Sequence, residues 1–322
     1  MATSSTPEPY AAEMTSGYAV MALRGGLGNQ LFQYAAGLGI ARARGVELRF
    51  DPWALPDHER WLPGLVGDDY RDATPAQLAR VGVLHTGRRG RDELARTLGM
   101  RAMTIARSVR GRSAPRQPPP HSLERVGVYD PTLLGVDLPV YLEGYFQTDR
   151  WFTAVADHVA RRLRPCLPTV GPLLPPAAPD GAPTVAVSFR RGDYVRQGWE
   201  LPLSYYEHAL ARITVQVPGA AFVVLGDDPV FTQFATDWVG SYGPAASAYE
   251  HGSDELVHLA LAAACDHAVI ANSSFAWWGA WLGDRRVAAE GRSSERIVLA
   301  PADYPARFGK DVVPETWVTI PS

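Results

Sequence analysis

The sequence predicts an α/β protein of two similar units, each built on a parallel sheet. Three observations carry this. A strand, a glycine-rich turn, a helix and a second strand follow one another between residues 18 and 51. Strands and helices alternate again from residue 184 onward. Between the two stretches lies Pro165 to Pro183, with seven prolines and two glycines, a composition that holds no packed element.

The opening unit starts with the apolar run Tyr18 to Leu23, and Arg24 to Gln30 reads as a turn. Leu31, Tyr34, Ala35 and Leu38 then recur on one helical face, so a helix is expected from about Leu31 to Arg44, with Gly45 as its stop. Val46 to Phe50 forms the next strand and ends at Asp51 and Pro52. A strand–helix–strand unit of this kind seeds a parallel sheet. Ten arginines fall between Arg80 and Arg116, against Asp92 and Glu93, and the stretch closes on a proline-rich loop. It reads as a solvated face, or as a contact surface for an anionic, lipid-linked acceptor at a membrane periphery. Val140 to Tyr145 reads as a strand and Asp149 to Leu163 as a helix.

In the second unit, strands are expected at Thr184 to Phe189, Ala221 to Leu225, His267 to Ala271 and Ile297 to Leu299. Helices are expected at Ser204 to Val215, after Pro229, at Asp254 to Cys265 and at Phe275 to Leu282. The division is therefore 1–17 as a mobile tail, 18–164, a linker at 165–183, and 184–322.

Bulk properties narrow the function. The 322 residues carry a net charge of −3, which gives no whole-chain footprint for nucleic acid. The two cysteines, Cys166 and Cys265, lie far apart, and the eight histidines form no cluster with ligand spacing, so neither a disulfide framework nor a metal site is expected. The polar N-terminus does not read as a signal peptide, and no apolar run is long enough to span a bilayer. A cytoplasmic location is the expectation.

Chemistry concentrates at strand ends, where open α/β sheets bind ligands. Four segments stand out. Gly25-Gly26-Leu27-Gly28-Asn29-Gln30 lets backbone approach a ligand and presents two amides, while a helix start favours an anion. It matches a dinucleotide fingerprint incompletely, since Leu31 stands at the third glycine position. Arg190-Arg191-Gly192-Asp193-Tyr194 supplies guanidinium groups that fork onto phosphate oxygens, and Asp193 is either a general base or an arginine partner. Gly226-Asp227-Asp228-Pro229 places carboxylates that accept from a purine base or cap a helix. Asn272-Ser273-Ser274-Phe275 opens a helix with small hydroxyls, an anion site, and Trp277 and Trp278 behind it are expected in the core.

Together these segments resemble the α-1,2-fucosyltransferases of glycosyltransferase family 11. The family's Gly-Gly-x-Gly-Asn-Gln-hydrophobic-Phe-Gln-Tyr signature is found from Gly25 to Tyr34, and its Gly-Tyr-Phe-Gln segment from Gly144 to Gln147. Its His-x-Arg-Arg-Gly-Asp-Tyr hallmark appears as Ser188 to Tyr194, with Ser188 in place of histidine. Its Asn-Ser-Ser-Phe segment appears from Asn272 to Ala280, with Ala276 for the usual serine. The resemblance implies a GT-B fold, two Rossmann-like domains facing across a cleft, with the sugar nucleotide mainly on residues 184–322 and the acceptor on 18–164. It implies inverting transfer of L-fucose from GDP-β-L-fucose to an oligosaccharide hydroxyl, with no metal and no cofactor. Arg190 and Arg191 would then contact the β-phosphate. Asp227, Asp228 and the position of Ser188 would read guanine, and Asn272, Ser273, Ser274 and Phe275 would support the diphosphate. The Gly26, Gly28, Asn29 and Gln30 loop would lie near the reacting centre. Another linkage or another GDP-sugar, an NAD-dependent oxidoreductase, and a non-catalytic carbohydrate-binding protein are the competing readings.

Overall fold

The computed structural model describes residues 17–85, 121–123, 127–170, 175, 178–292, 295–302, 304 and 311–322. The expected tail, most of the arginine-rich stretch and part of the proline-rich linker lie outside the described residues.

The first sheet has four strands in the order β2-β1-β4-β3, all parallel. They are β1 (Tyr18–Ala22), β2 (Glu47–Asp51), β3 (His121–Leu123) and β4 (Val140–Glu143). Helix α1 (Leu27–Arg44) crosses from β1 to β2 and covers one face. The chain leaves α1 through Gly45, whose left-handed φ of 63° suits glycine. Two short helices follow, α2 (Leu62–Val66) and α3 (Pro75–Arg80). A Thr74–Gln77 capping box starts α3, and Leu78, Val81 and Val83 then cover the other face of the sheet against Val20, Ala22 and Tyr141.

The second sheet has six parallel strands in the order β10-β9-β8-β5-β6-β7. These are β5 (Thr184–Ser188), β6 (Ala221–Leu225), β7 (Ala245–Ser247), β8 (His267–Val269), β9 (Val298–Pro301) and β10 (Val318–Ile320). The helices before and among them are α4 (Ala156–Leu163), α5 (Gly192–Gln197), α6 (Leu203–Gln216), α7 (Pro229–Val239), α8 (Glu255–Ala264) and α9 (Ser274–Ala289). Two parallel α/β sheets, each flanked by helices, are the organisation that the GT-B expectation describes.

Four expectations are corrected. Helix α1 begins at Leu27, so Leu27 to Gln30 form its first turn and not a loop ahead of it. The expected loop at Arg190 to Tyr194 turns helical at Gly192. The helix expected at Asp149 to Leu163 is broken, with two 3₁₀ turns before α4. Strands β7 and β10, three residues each, had too short a period to be read.

The two halves share apolar packing. On α1, Phe32 lies with its ring centroid 4.5 Å from Trp277 and 5.2 Å from Trp278 of α9. Phe152 stacks on Trp278 at 5.6 Å. Trp277, Trp278 and Trp281 are almost fully buried, as core residues and not as exposed sugar platforms.

At the opposite end of β8 from this junction, His267 is buried and its Nδ1 accepts from the Ile297 backbone N–H at 3.1 Å. Burial holds its pKa below the ordinary histidine value. The unfolded chain therefore binds this proton before the folded chain does, so stability is lost as pH falls through the ordinary histidine range near 6.5. Thermal melts from pH 7.5 to 5.5 should show a pH slope that shrinks in His267→Asn, by at most about 1.4 kcal/mol per pH unit. An unchanged slope would show that His267 does not set it.

Candidate active site

The strand-end segments converge because backbone and buried amides tie them together. At the end of β5, the Arg190 guanidinium reaches Asp227 Oδ2 at 2.9 Å and donates to Asp193 Oδ1 at 2.5 Å. It also lies 5.1 Å from the centre of the Tyr194 ring. The Arg191 backbone N–H donates to the other Asp227 oxygen at 2.8 Å. One carboxylate thus holds two consecutive arginines, one by its side chain and one by its backbone. Gly192 makes room for this, since a Cβ there would stand 2.5 Å from Asp227 Oδ2. The Arg191 guanidinium lies over Phe231 at 4.2 Å and near Glu200 at 3.5 Å. Both arginines stay about one third exposed and keep donors for an anion.

The two aspartates of the Asp-Asp segment divide their work. Asp228 caps α7, accepting from the N–H groups of Val230 and Phe231 at 3.0 Å each. Asp227 holds the arginine loop. Asp228 Oδ1 is occupied by its cap, which leaves less of this side chain for a base than the reading of both aspartates on guanine required. Asp193 is likewise committed: its other oxygen takes a bond from Gln197 Nε2 at 3.3 Å. Both of its oxygens thus have partners in this structure, while its side chain stays 38% exposed.

Ser188 is the buried last residue of β5, and its carbonyl accepts from Tyr206 at 3.2 Å. Tyr249 donates to the Gly226 carbonyl at 3.1 Å. Burial, then the Asp227 charge, push both phenols above their usual pKa and keep them as donors. Neither tyrosine was found from the sequence, since a single tyrosine in a helix or a loop carries no motif.

At the start of α9, the Asn272 side chain donates to the Trp199 carbonyl at 2.8 Å. Its Oδ1 is buried without a partner among the described residues. Ser273 occupies the N-cap position with no side-chain capping bond, and Ser274 is the first helical residue. Unused hydroxyls beside free N–H groups at a helix start suit an anion. Tyr194 donates to the Asn272 carbonyl at 3.2 Å and so joins this helix start to the arginine loop.

The glycine segment meets the same helix start from the other sheet. Gly28 is buried, and a Cβ there would lie 2.5 Å from the Phe275 nitrogen and 2.6 Å from the Ser274 carbonyl carbon. Gly26 caps α1 and is exposed, whereas Asn29 Oδ1 accepts from Gln147 Nε2 at 2.8 Å. Gln30 does not face a ligand, contrary to expectation. It is fully buried, donates to the Gly25 and Glu59 carbonyls at 2.9 and 2.7 Å, and accepts from the Trp61 N–H at 3.2 Å. An amide with both donors and its oxygen engaged is a brace for the loop. Gln33, which sequence reasoning passed over, donates to the Gly144 carbonyl at 2.9 Å and accepts from the Arg24 N–H at 3.0 Å. Just beyond, Phe146 is held at a φ of 53°, an unusual conformation for a bulky side chain. Phe32, Gln147, Asn272, Ser273 and Trp277 border a cavity of about 10 Å³ where the two sheets meet. Among the described residues no group of three or more histidines, cysteines or carboxylates is arranged to hold a metal.

A two-sheet α/β chain with paired arginines and a helix start facing one junction has the layout of a sugar-nucleotide transferase. The chain belongs to glycosyl transferase family 11: residues 127–295, more than half of it, match that family. It is similar to the O-antigen biosynthesis glycosyltransferase WbnK of Escherichia coli, 25% identical over 152 residues, 44% of this chain and 46% of that protein. It is also similar to an alpha-1,2-colitosyltransferase of Escherichia coli, 29% identical over 146 residues, 42% of this chain and 47% of that protein. The matches thus span about half the length of these relatives. Among solved structures, a mutant of FUT1 of Arabidopsis thaliana in complex with GDP overlaps with a TM-score of 0.47 at 13% identity, over 91% of this chain and 71% of that one. The fucosyltransferase NodZ of Bradyrhizobium gives 0.39 at 10% identity, over 82% and 92%. No helix among the described residues is long and apolar enough to cross a membrane.

Proposed function

We propose that the protein transfers a 6-deoxyhexose, L-fucose in the first instance, from its GDP-sugar to a hydroxyl of an oligosaccharide, forming an α-1,2 linkage. The observation that carries this reading is the Asp227-held arginine pair near the α9 start, where Ser273 makes no side-chain capping bond. Two cationic forks and a helix N-terminus are what a departing diphosphate needs as charge grows on it. The family supports glycosyl transfer, and the colitosyltransferase relative supports a deoxysugar donor and the linkage. Residues 184–322 hold the nucleotide in this reading, and residues 18–164 hold the acceptor. Neither a metal nor a cofactor takes part, and a lipid-linked acceptor is one substrate consistent with an O-antigen relative.

Attack comes from the face opposite GDP through an oxocarbenium-like transition state. Arg190 and Arg191 stabilise the leaving diphosphate, and the N–H groups at the start of α9 share its charge. Calorimetric titration with GDP in EDTA, followed by a screen of GDP-sugars with NMR of the product, tests the reading. Metal-free GDP binding and a fucosylated 2-hydroxyl are the expected results. Absence of GDP binding would overturn it. In this reading Asp193 positions Arg190, so Asp193→Asn should lower turnover by less than about tenfold; a loss of about a thousandfold would return Asp193 to the base role.

A further inference from the structure

One constellation in the first sheet takes no part in the site described above. Asp51 ends β2 and is 4% exposed. It accepts from Tyr141 Oη at 2.6 Å, from the Trp53 N–H at 3.2 Å, and lies 3.0 Å from His85 Nε2 through each of its two oxygens. The His85 side chain is 10% exposed, and the Trp53 ring stacks on it with centroids 4.5 Å apart and planes 9° apart. His85 Nδ1 and Trp53 Nε1 are both buried with no hydrogen-bond partner among the described residues.

This arrangement fixes the chemistry of the ring. A carboxylate facing Nε2 requires the proton there, so in the neutral imidazole Nδ1 carries the lone pair. A buried polar atom left unsatisfied costs roughly 1–3 kcal/mol, a cost that a bound hydroxyl would relieve. An unpaired Nδ1 beside an unpaired indole N–H offers one acceptor and one donor, the set that a sugar hydroxyl satisfies. The position is also suitable. The Leu23 N–H donates to the Asp51 carbonyl at 2.9 Å, so the dyad sits at the carboxyl end of the sheet, next to the chain that enters the Gly25–Gly28 loop. That loop touches the α9 start through Gly28. Among the described residues, Tyr141 on β4 donates to Asp51, and Tyr70 feels the Asp51 charge.

We propose that His85 is the general base of the transfer and that Asp51 is its positioning residue. The inference rests on the proposed function. The acceptor O–H donates to Nδ1, and the oxygen forms the new bond to the sugar anomeric carbon. The bond from that carbon to the diphosphate breaks with its electron pair going to GDP. The proton ends on Nδ1, making an imidazolium beside the Asp51 carboxylate, and is then released to water.

Two measurements test this. In protein labelled with ¹⁵N-histidine, the resonances lost in His85→Gln identify His85. In the neutral imidazole they should show an unprotonated Nδ1 and a protonated Nε2, and Asp51→Asn should disturb that pattern. A protonated Nδ1 in the neutral imidazole would overturn the proposal whatever the activity. In transfer assays with the acceptor found by the product screen, lactose being the first probe, His85→Gln should lower kcat by about 10²–10⁴-fold. GDP affinity and slow hydrolysis of the GDP-sugar should stay within about threefold of wild type. Wild-type transfer rates in His85→Gln would overturn the proposal. Failure of the wild-type protein to bind GDP would instead overturn the functional reading, and the nitrogen resonances would still judge the dyad.

Discussion

Replacing Arg190 with alanine should lower turnover by about 10²–10³-fold, roughly 3–4 kcal/mol of transition-state stabilisation, while the protein still folds. The catalytic loss is large because Arg190 is held in place before substrate arrives. Asp227 and Asp193 fix its guanidinium from two sides and the Tyr194 ring lies beside it, so little reorganisation is needed as the diphosphate departs. The stability loss is small because the pairs are partly open to water, where an ion pair contributes about 0–1 kcal/mol. Arg191→Ala should cost less, since its guanidinium is engaged by Phe231 and Glu200 while its backbone N–H, which survives the substitution, does the holding. Steady-state kinetics at saturating donor, with GDP titration on the same variants, separates the effects. Turnover within threefold of wild type in Arg190→Ala would remove this residue from the leaving-group role.

The second large effect is expected at Gly28. A Cβ there meets the backbone of Ser274 and Phe275, which has no rotamer with which to retreat. Gly28→Ala must therefore push the starts of α1 and α9 apart. Overpacking of this kind costs about 1–3 kcal/mol, and each kcal/mol lowers Tm by roughly 2–4 °C in a domain of this class. Turnover should fall further, by about 10²-fold, because a displacement near 1 Å at a reacting centre is enough for that. Gly64→Ala, in open space on α2, is the control for the exchange itself. A Gly28→Ala protein with unchanged melting and turnover would show that the two helix starts do not need this contact.

Much of this was legible in the residues because spacing reports backbone geometry. The β1–α1–β2 unit, the stop at Gly45 and the alternation after Thr184 all follow from period and punctuation. The segments around Gly28, Arg190, Asp227 and Asn272 could be placed at strand ends because glycine, paired arginine and small hydroxyls have few other uses there. What spacing does not report is which partner a polar side chain finds. Gln30 and Gln33 are three residues apart in one helix and look equally available. One is spent on Gly25, Glu59 and Trp61 and the other on Arg24 and Gly144, choices settled by loops distant in the chain. The split between Asp227 and Asp228 is of the same kind: both fit a cap, and only the position of the arginine loop decides which one is left to hold it. His85 and Asp51, 34 residues apart with no motif around either, are joined only by the fold.

The aromatic packing of Phe32 and Phe152 against Trp277, Trp278 and Trp281 bears on how the molecule can move. A linker rich in proline suggests two bodies that swing freely, but these rings form one apolar core from both halves. Swinging the halves apart would expose five large aromatic rings to water, at roughly 2 kcal/mol or more for each. The two halves should therefore melt in one cooperative transition, which calorimetry would show as a single peak.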